Sequence, residues 1–147
     1  LTEMEEAAGG KALTPRQILE ALIEPILTCS RSSDGGSLYV RNVFQMRVDA
    51  RAGYNNFNIN SHVAHRFIKA MQKTFPELDL EDVTWNYEFA RGTSVHLLAN
   101  LDPVSRRFEH LMTPSNEELP QSPRFKLDKN AVERVISLIL RGFGSPL

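Results

Sequence analysis

The chain has one cysteine and one tryptophan among 147 residues, and it has no long apolar run. A single cysteine, Cys29, excludes an intramolecular disulfide and any zinc site built from several cysteines. The lack of disulfides predicts a reducing compartment, cytoplasmic or nuclear. No apolar run approaches the roughly 20 residues that a membrane-spanning helix needs, and the acidic start LTEMEEAAGG lacks a signal-peptide core.

Short catalytic and metal-binding motifs are also missing. The serines have no GxSxG context, and Gly35-Gly36 does not follow a predicted strand as a phosphate-binding loop does. His62 and His65 lie on one predicted helix, but no HExxH or other metal-ligand spacing accompanies them. The sequence therefore predicts no catalytic residue, no metal and no cofactor. An enzyme that lacks a short motif stays open as a third alternative.

The net charge of −1 hides an uneven distribution of charged residues. Residues 38–75 carry six Lys and Arg against one acidic residue, Asp49, whereas residues 76–90 carry five Asp and Glu and no cation. Because the whole chain is close to neutral, binding to an anionic partner must depend on a local patch. The basic block is the strongest indication of such a patch.

Length and composition predict a single globular domain. Hydrophobic residues make up 41% of the chain and charged residues 24%, which is typical of a domain with one core. We expect a flexible N-terminal tail at 1–13, which contains Gly9-Gly10, and one folded domain at 14–147.

Residues 83–101 have the pattern of a β-hairpin. The segment VTWNYEF alternates apolar and polar residues, which is the period of a strand with one buried face. The turn RGTS supplies a glycine, and a second alternating segment follows. Three aromatic side chains on one strand predict that the rest of the chain packs against this face.

Helix signals occur at three places. Thr14 and Gln17 have the spacing of a capping box, and Pro25 predicts a kink or break in the helix that follows. A second helix is predicted over about 62–74, and Asp128 is expected to cap the last helix.

A further strand is predicted at 38–50, where LYVRNVFQMRVDA has an apolar face and a basic face. The element order is then α-β-α-β-β-α. Since the hairpin strands are antiparallel, we expect a mostly antiparallel sheet with helices packed on one face, which is an α+β fold.

The main candidate site is the basic side of the helix 62–74. Steps of 100° per residue place its cations opposite Phe67 and Met71, and the basic face of the strand 38–50 is expected to extend it. These residues are predicted to bind nucleic acid or an acidic partner: Arg41, Arg47, His62, His65, Arg66, Lys69 and Lys73.

The segment 102–127 contains four prolines and is predicted to be a long irregular loop. Loops of that length in a compact domain are usually functional or disordered. Its cations and apolar side chains predict a partner-binding loop formed by Arg106, Arg107, Phe108, Leu111 and Met112.

Together these features predict a non-catalytic binding domain. The segregated charge, the apolar hairpin and the proline-rich loop favour a protein–protein interaction or regulatory adaptor domain that can self-associate as a homodimer. The alternative is an RNA- or DNA-binding protein that uses the basic face of the helix 62–74. No membrane partner is expected.

Overall fold

The computed structural model describes residues 1–32, 34, 42, 61–100, 106–122 and 128–144. Six helices have their bounds within these residues: α1 (Thr2–Ala7), α2 (Pro15–Ser30), α3 (Ser61–Thr74), α4 (Leu80–Asn100), α5 (Arg107–Met112) and α6 (Lys129–Leu140). No strand occurs among the described residues. The fold is therefore all-helical in these ranges, and the prediction of an α+β domain is wrong.

The predicted hairpin at 83–101 is the main error, because Leu80–Asn100 form one helix. The alternation assigned Val83, Trp85, Tyr87 and Phe89 to one buried strand face. In the helix, Val83 and Tyr87 are one turn apart and buried, whereas Trp85 and Phe89 are one turn apart and exposed. The apolar residues of α4 therefore divide between two directions.

Other predictions fall partly or wholly on residues that the structure does not describe. The predicted strand at 38–50 lies outside the described residues except for Asn42, whose backbone is helical. Of the predicted loop, residues 106–122 are described and contain α5. The stretch 1–13 contains α1. The division into a flexible tail and one domain stays a prediction.

The central helix is α2, which contacts α3, α4 and α6. The predicted capping box at its start is confirmed. Thr14 Oγ1 accepts a hydrogen bond from the Gln17 backbone N–H at 3.3 Å, and Gln17 Oε1 accepts one from the Thr14 N–H at 2.9 Å. The helix continues through Pro25 to its end, so no break occurs there. Ile23 and Leu27 are buried on either side of the proline, and their packing holds the helix together.

The core is built around the buried stripe of α2. Ile18, Leu19, Ile23 and Leu27 are each at most 1% exposed and belong to one cluster with buried residues of α3, α4 and α6. Burying a side chain of this size contributes about 1.5–3 kcal/mol. The core therefore fixes which sides of α3, α4 and α6 face outward.

The turn after α6 attaches that helix to α3 and α4. Phe143 packs edge to face on Phe75, with ring centroids 5.6 Å apart and an interplanar angle of 83°. The Gly144 N–H donates a hydrogen bond to Asn86 Oδ1 at 2.9 Å. These contacts hold the C-terminal end of α6 beside α4.

Candidate functional site

The predicted basic face of α3 forms one surface. Phe67, Ala70 and Met71 are buried, and the Lys, Arg and His residues of the helix are on the exposed side. The structure brings five of the seven predicted residues together: His62, His65, Arg66, Lys69 and Lys73. Arg41 and Arg47 lie outside the described residues. That this face binds an anionic partner stays a prediction.

One end of the basic face is in contact with α1. The Arg66 Nη2 donates hydrogen bonds to Glu5 Oε2 at 2.8 Å and to Thr2 Oγ1 at 3.0 Å. Met4 and Ala8 of the same N-terminal segment are partly buried against the core. The acidic helix α1 is therefore placed next to the basic face of α3.

The predicted partner-binding loop divides into two parts. Arg106 is half-buried with a left-handed φ of 46°, and its Nη2 donates to the Pro120 carbonyl oxygen at 2.5 Å. This guanidinium holds the loop together and does not face outward. Of the others, Phe108 is half-buried, Arg107 is exposed, and Leu111 and Met112 are 71% and 67% exposed. Their role in partner binding stays a prediction.

The outer face of α4 is a surface that sequence reasoning missed. Trp85 and Phe89 are 59% and 52% exposed, and Glu81, Glu88 and Gly92 share their side of the helix. Contiguous exposed apolar patches, especially those rimmed by polar residues, mark interaction sites. A helical projection of residues 80–100 reveals this face, because it separates the two exposed aromatics from the buried residues.

Helix α6, which packs against α4, also has an exposed face. Leu138 is 53% exposed, and it lines an open depression of about 570 Å³ together with Asn130, Glu133, Arg134, Ser137 and Arg141. Helices α4 and α6 pack against each other, and both pack against α2. At one side of the depression, Glu133 forms an ion pair with Arg16 of α2. We refer to these two outer faces together as the α4–α6 surface.

Two kinds of feature are absent from the described part of the chain. Within it, no group of three or more His, Cys, Asp or Glu is arranged to hold a metal ion. None of its helices combines the length and apolar character needed to cross a membrane.

The fold and these surfaces define an all-helical domain with an outward-facing pair of apolar and charged helix faces. A family model described as "Tetracyclin repressor-like, C-terminal domain" matches residues 20–119. Since this match covers more than half of the 147 residues, the chain belongs to that family. No curated protein and no solved structure gives a significant match.

Membership of this family makes the chain a regulatory domain. The regulatory part of the functional prediction is therefore confirmed, whereas the adaptor part is wrong. The family fold is all-helical, in agreement with the helices described above and against the predicted sheet.

Proposed function

We propose that this chain is the ligand-binding and dimerisation domain of a transcriptional repressor, and that two copies associate through the α4–α6 surface. Family membership supports the dimer, because regulators of this type are typically homodimeric. The observation that carries the dimer is the exposure of Trp85 and Phe89 side by side on α4.

The size and composition of the surface suit a dimer. Aromatic side chains bury about 150–250 Å² each and dominate the energetics of interfaces. A two-fold interface uses each patch twice, so one dimer covers two copies of Trp85, Phe89 and Leu138. Helix α4 has 21 residues and is about 31 Å long at 1.5 Å per residue, which is enough to run along a partner's helices.

The charges of the α4–α6 surface indicate how the copies are oriented. The α4 part carries Glu81 and Glu88, and the α6 part carries Arg134 and Arg141. When α4 of one copy lies against α6 of the other, acidic and basic side chains oppose each other at the rim. In that arrangement the depression on α6 receives an aromatic side chain from the partner's α4.

The dimer is tested by replacing an aromatic residue of the surface. We expect Phe89→Glu to convert a dimer of twice 16.6 kDa into a monomer of 16.6 kDa, measured by light scattering. A glutamate buried in an apolar interface without a partner is strongly unfavourable. Since Phe89 is 52% exposed, the fold of the single chain should not depend on it.

Leu111→Glu is the matched control, because Leu111 is an exposed apolar residue on α5, outside the α4–α6 surface. We expect it to stay dimeric. A monomeric wild-type chain, or a dimer that Leu111→Glu disrupts and Phe89→Glu does not, contradicts the proposed interface.

The ligand part of the proposal concerns a small-molecule effector, which family membership supports. A molecule that binds only the folded state raises the melting temperature, by an amount that grows with its concentration above the Kd. A thermal-shift screen of chemically diverse small molecules tests this part. If no compound shifts the melting temperature of the dimeric protein, this part of the proposal is unsupported. The predicted cytoplasmic or nuclear location is compatible with the role and stays a prediction.

A further inference from the structure

The basic face of α3 is not used by the proposed dimer, and its charge is unusually uniform. The helix sequence SHVAHRFIKAMQKT contains three Lys and Arg, two His and no acidic residue. Lys69 and Lys73 are exposed and form no ion pair with any residue in the described part of the chain. A face of this kind attracts anions, because nothing on its own helix neutralises it.

The spacing of the charges follows an extended polyanion. His62, Arg66, Lys69 and Lys73 are separated by four, three and four residues. At 1.5 Å per residue they extend over about 16 Å, which corresponds to about five base steps of one DNA strand at 3.4 Å each. The helix can therefore present several polar and cationic side chains, with Arg66, Lys69 and Lys73 among them, along a few phosphates of one strand.

The composition of the face favours a nucleic acid over a protein. The cores of protein interfaces are enriched in aromatic residues and depleted in lysine. Among the exposed residues of α3 only Val63 is apolar, at 41% exposure, and the others are His, Arg, Lys or Gln. Binding to a phosphate backbone needs cations and no apolar core.

The molecule already places a carboxylate on this face. Glu5 of α1 lies 2.8 Å from the Arg66 guanidinium, and α1 also carries Glu3 and Glu6. The helix is followed by Gly9 and Gly10, with φ of 58° and 85°. The acidic side chains of α1 therefore lie at the Arg66 end of the basic face. At the other end, Lys69 and Lys73 form no ion pair with a described residue.

We propose that the outward face of α3 is a contact surface for the phosphate backbone of duplex DNA, and that Glu5 competes with DNA for Arg66. The choice of duplex DNA over other nucleic acids rests on the proposed role in a transcriptional repressor. The contact is not sequence-specific, since it involves phosphates and no base edges.

The experiment measures the binding of the full chain to a fluorescein-labelled duplex of arbitrary sequence by anisotropy. Salt is varied between about 50 and 200 mM, because each phosphate contact contributes about −0.9 to the slope of log K against log salt. We expect Lys69→Glu combined with Lys73→Glu to weaken binding at least about tenfold and to make the slope shallower by about two.

Lys11→Glu combined with Lys129→Glu is the matched control, because both lysines are exposed, lie off α3 and give the same change in net charge. We expect less than about a threefold loss for this pair. Circular dichroism of each variant checks that the helices are intact. Glu5→Gln is expected to tighten binding about two- to threefold at low salt and to steepen the slope by about one, since Arg66 becomes available.

Three outcomes overturn the inference. One is a wild-type chain that is dimeric yet does not bind the duplex at low salt; the proposed function then stands without this contact. Another is an equal loss in the control pair, which shows only the effect of net charge. The third is displacement of the labelled duplex by polyglutamate as effective as displacement by unlabelled duplex DNA at the same concentration of charge, which shows attraction to any polyanion. An unchanged affinity in Glu5→Gln overturns the competition by α1.

Discussion

At the scale of single residues, Gly144 has the least freedom to change. Its φ is +86°, which side chains other than glycine rarely adopt, and a Cβ at this position overlaps the Phe75 ring. We expect Gly144→Ala to lower the free energy of unfolding by about 1–3 kcal/mol, because it combines an unfavourable backbone with overpacking. Urea denaturation measures the difference.

Gly142→Ala is the control for that substitution. A Cβ on Gly142 meets nothing within 4 Å, and its φ is outside the left-handed region. We expect its free energy of unfolding to change by less than about 1 kcal/mol. If both variants lose the same stability, the contact with Phe75 is not the cause.

At the scale of helices, the sequence predicted those elements whose signals are local. The Thr14–Gln17 capping box and the Asp128 cap, which accepts the Ala131 N–H at 2.9 Å, each depend on residues three positions apart. Helix α3 was predicted for the same reason, since its apolar side repeats every three to four residues.

Helix α4 was not predicted because it has apolar residues on two sides. Val83 and Tyr87 face the core, and Trp85 and Phe89 face outward. Because the two pairs alternate along the sequence, an apolar residue occurs at every second position, which is the period typical of a strand. Aromatic and β-branched residues strengthened the error, although their strand preference depends on context. The strand prediction failed at Trp85 and Phe89, which belong to the surface that we propose for dimerisation. Sequence patterns are expected to mislead at functional surfaces of this kind.

The ion pair that joins α2 to α6 is expected to contribute little. Arg16 Nη2 lies 2.7 Å from Glu133 Oε2, and the two side chains are 43% and 44% exposed. A double-mutant cycle with Arg16→Ala and Glu133→Ala measures their coupling free energy, which we expect to be below about 1 kcal/mol because solvent screens the charges. A coupling above about 2 kcal/mol contradicts this, and indicates that the pair is shielded from water in the assembled protein.

At the scale of the whole molecule, stability should depend on protein concentration. When folding is linked to dimerisation, each tenfold rise in concentration favours the folded dimer by about 1.4 kcal/mol. We expect the melting temperature of the wild type to rise with concentration in calorimetry, and that of Phe89→Glu to stay constant. A wild-type melting temperature that does not change with concentration is evidence against an obligate dimer.

The candidate surfaces differ in how far the sequence could reveal them. The basic face belongs to one helix, so the helical period alone was enough to group Lys69 with Lys73. The α4–α6 surface joins residues about 50 positions apart, and it exists because α2 packs against both helices. No local pattern contains that information.

The exposure of Trp85 gives the protein an internal optical reporter. Trp85 is the only tryptophan of the chain, so the indole emission comes from one position. That position is 59% exposed in the single chain and is covered in the dimer proposed here. Because an indole emits at longer wavelength in water than in an apolar contact, dilution should shift the emission to the red as the copies separate. Assembly can therefore be followed in the unlabelled protein.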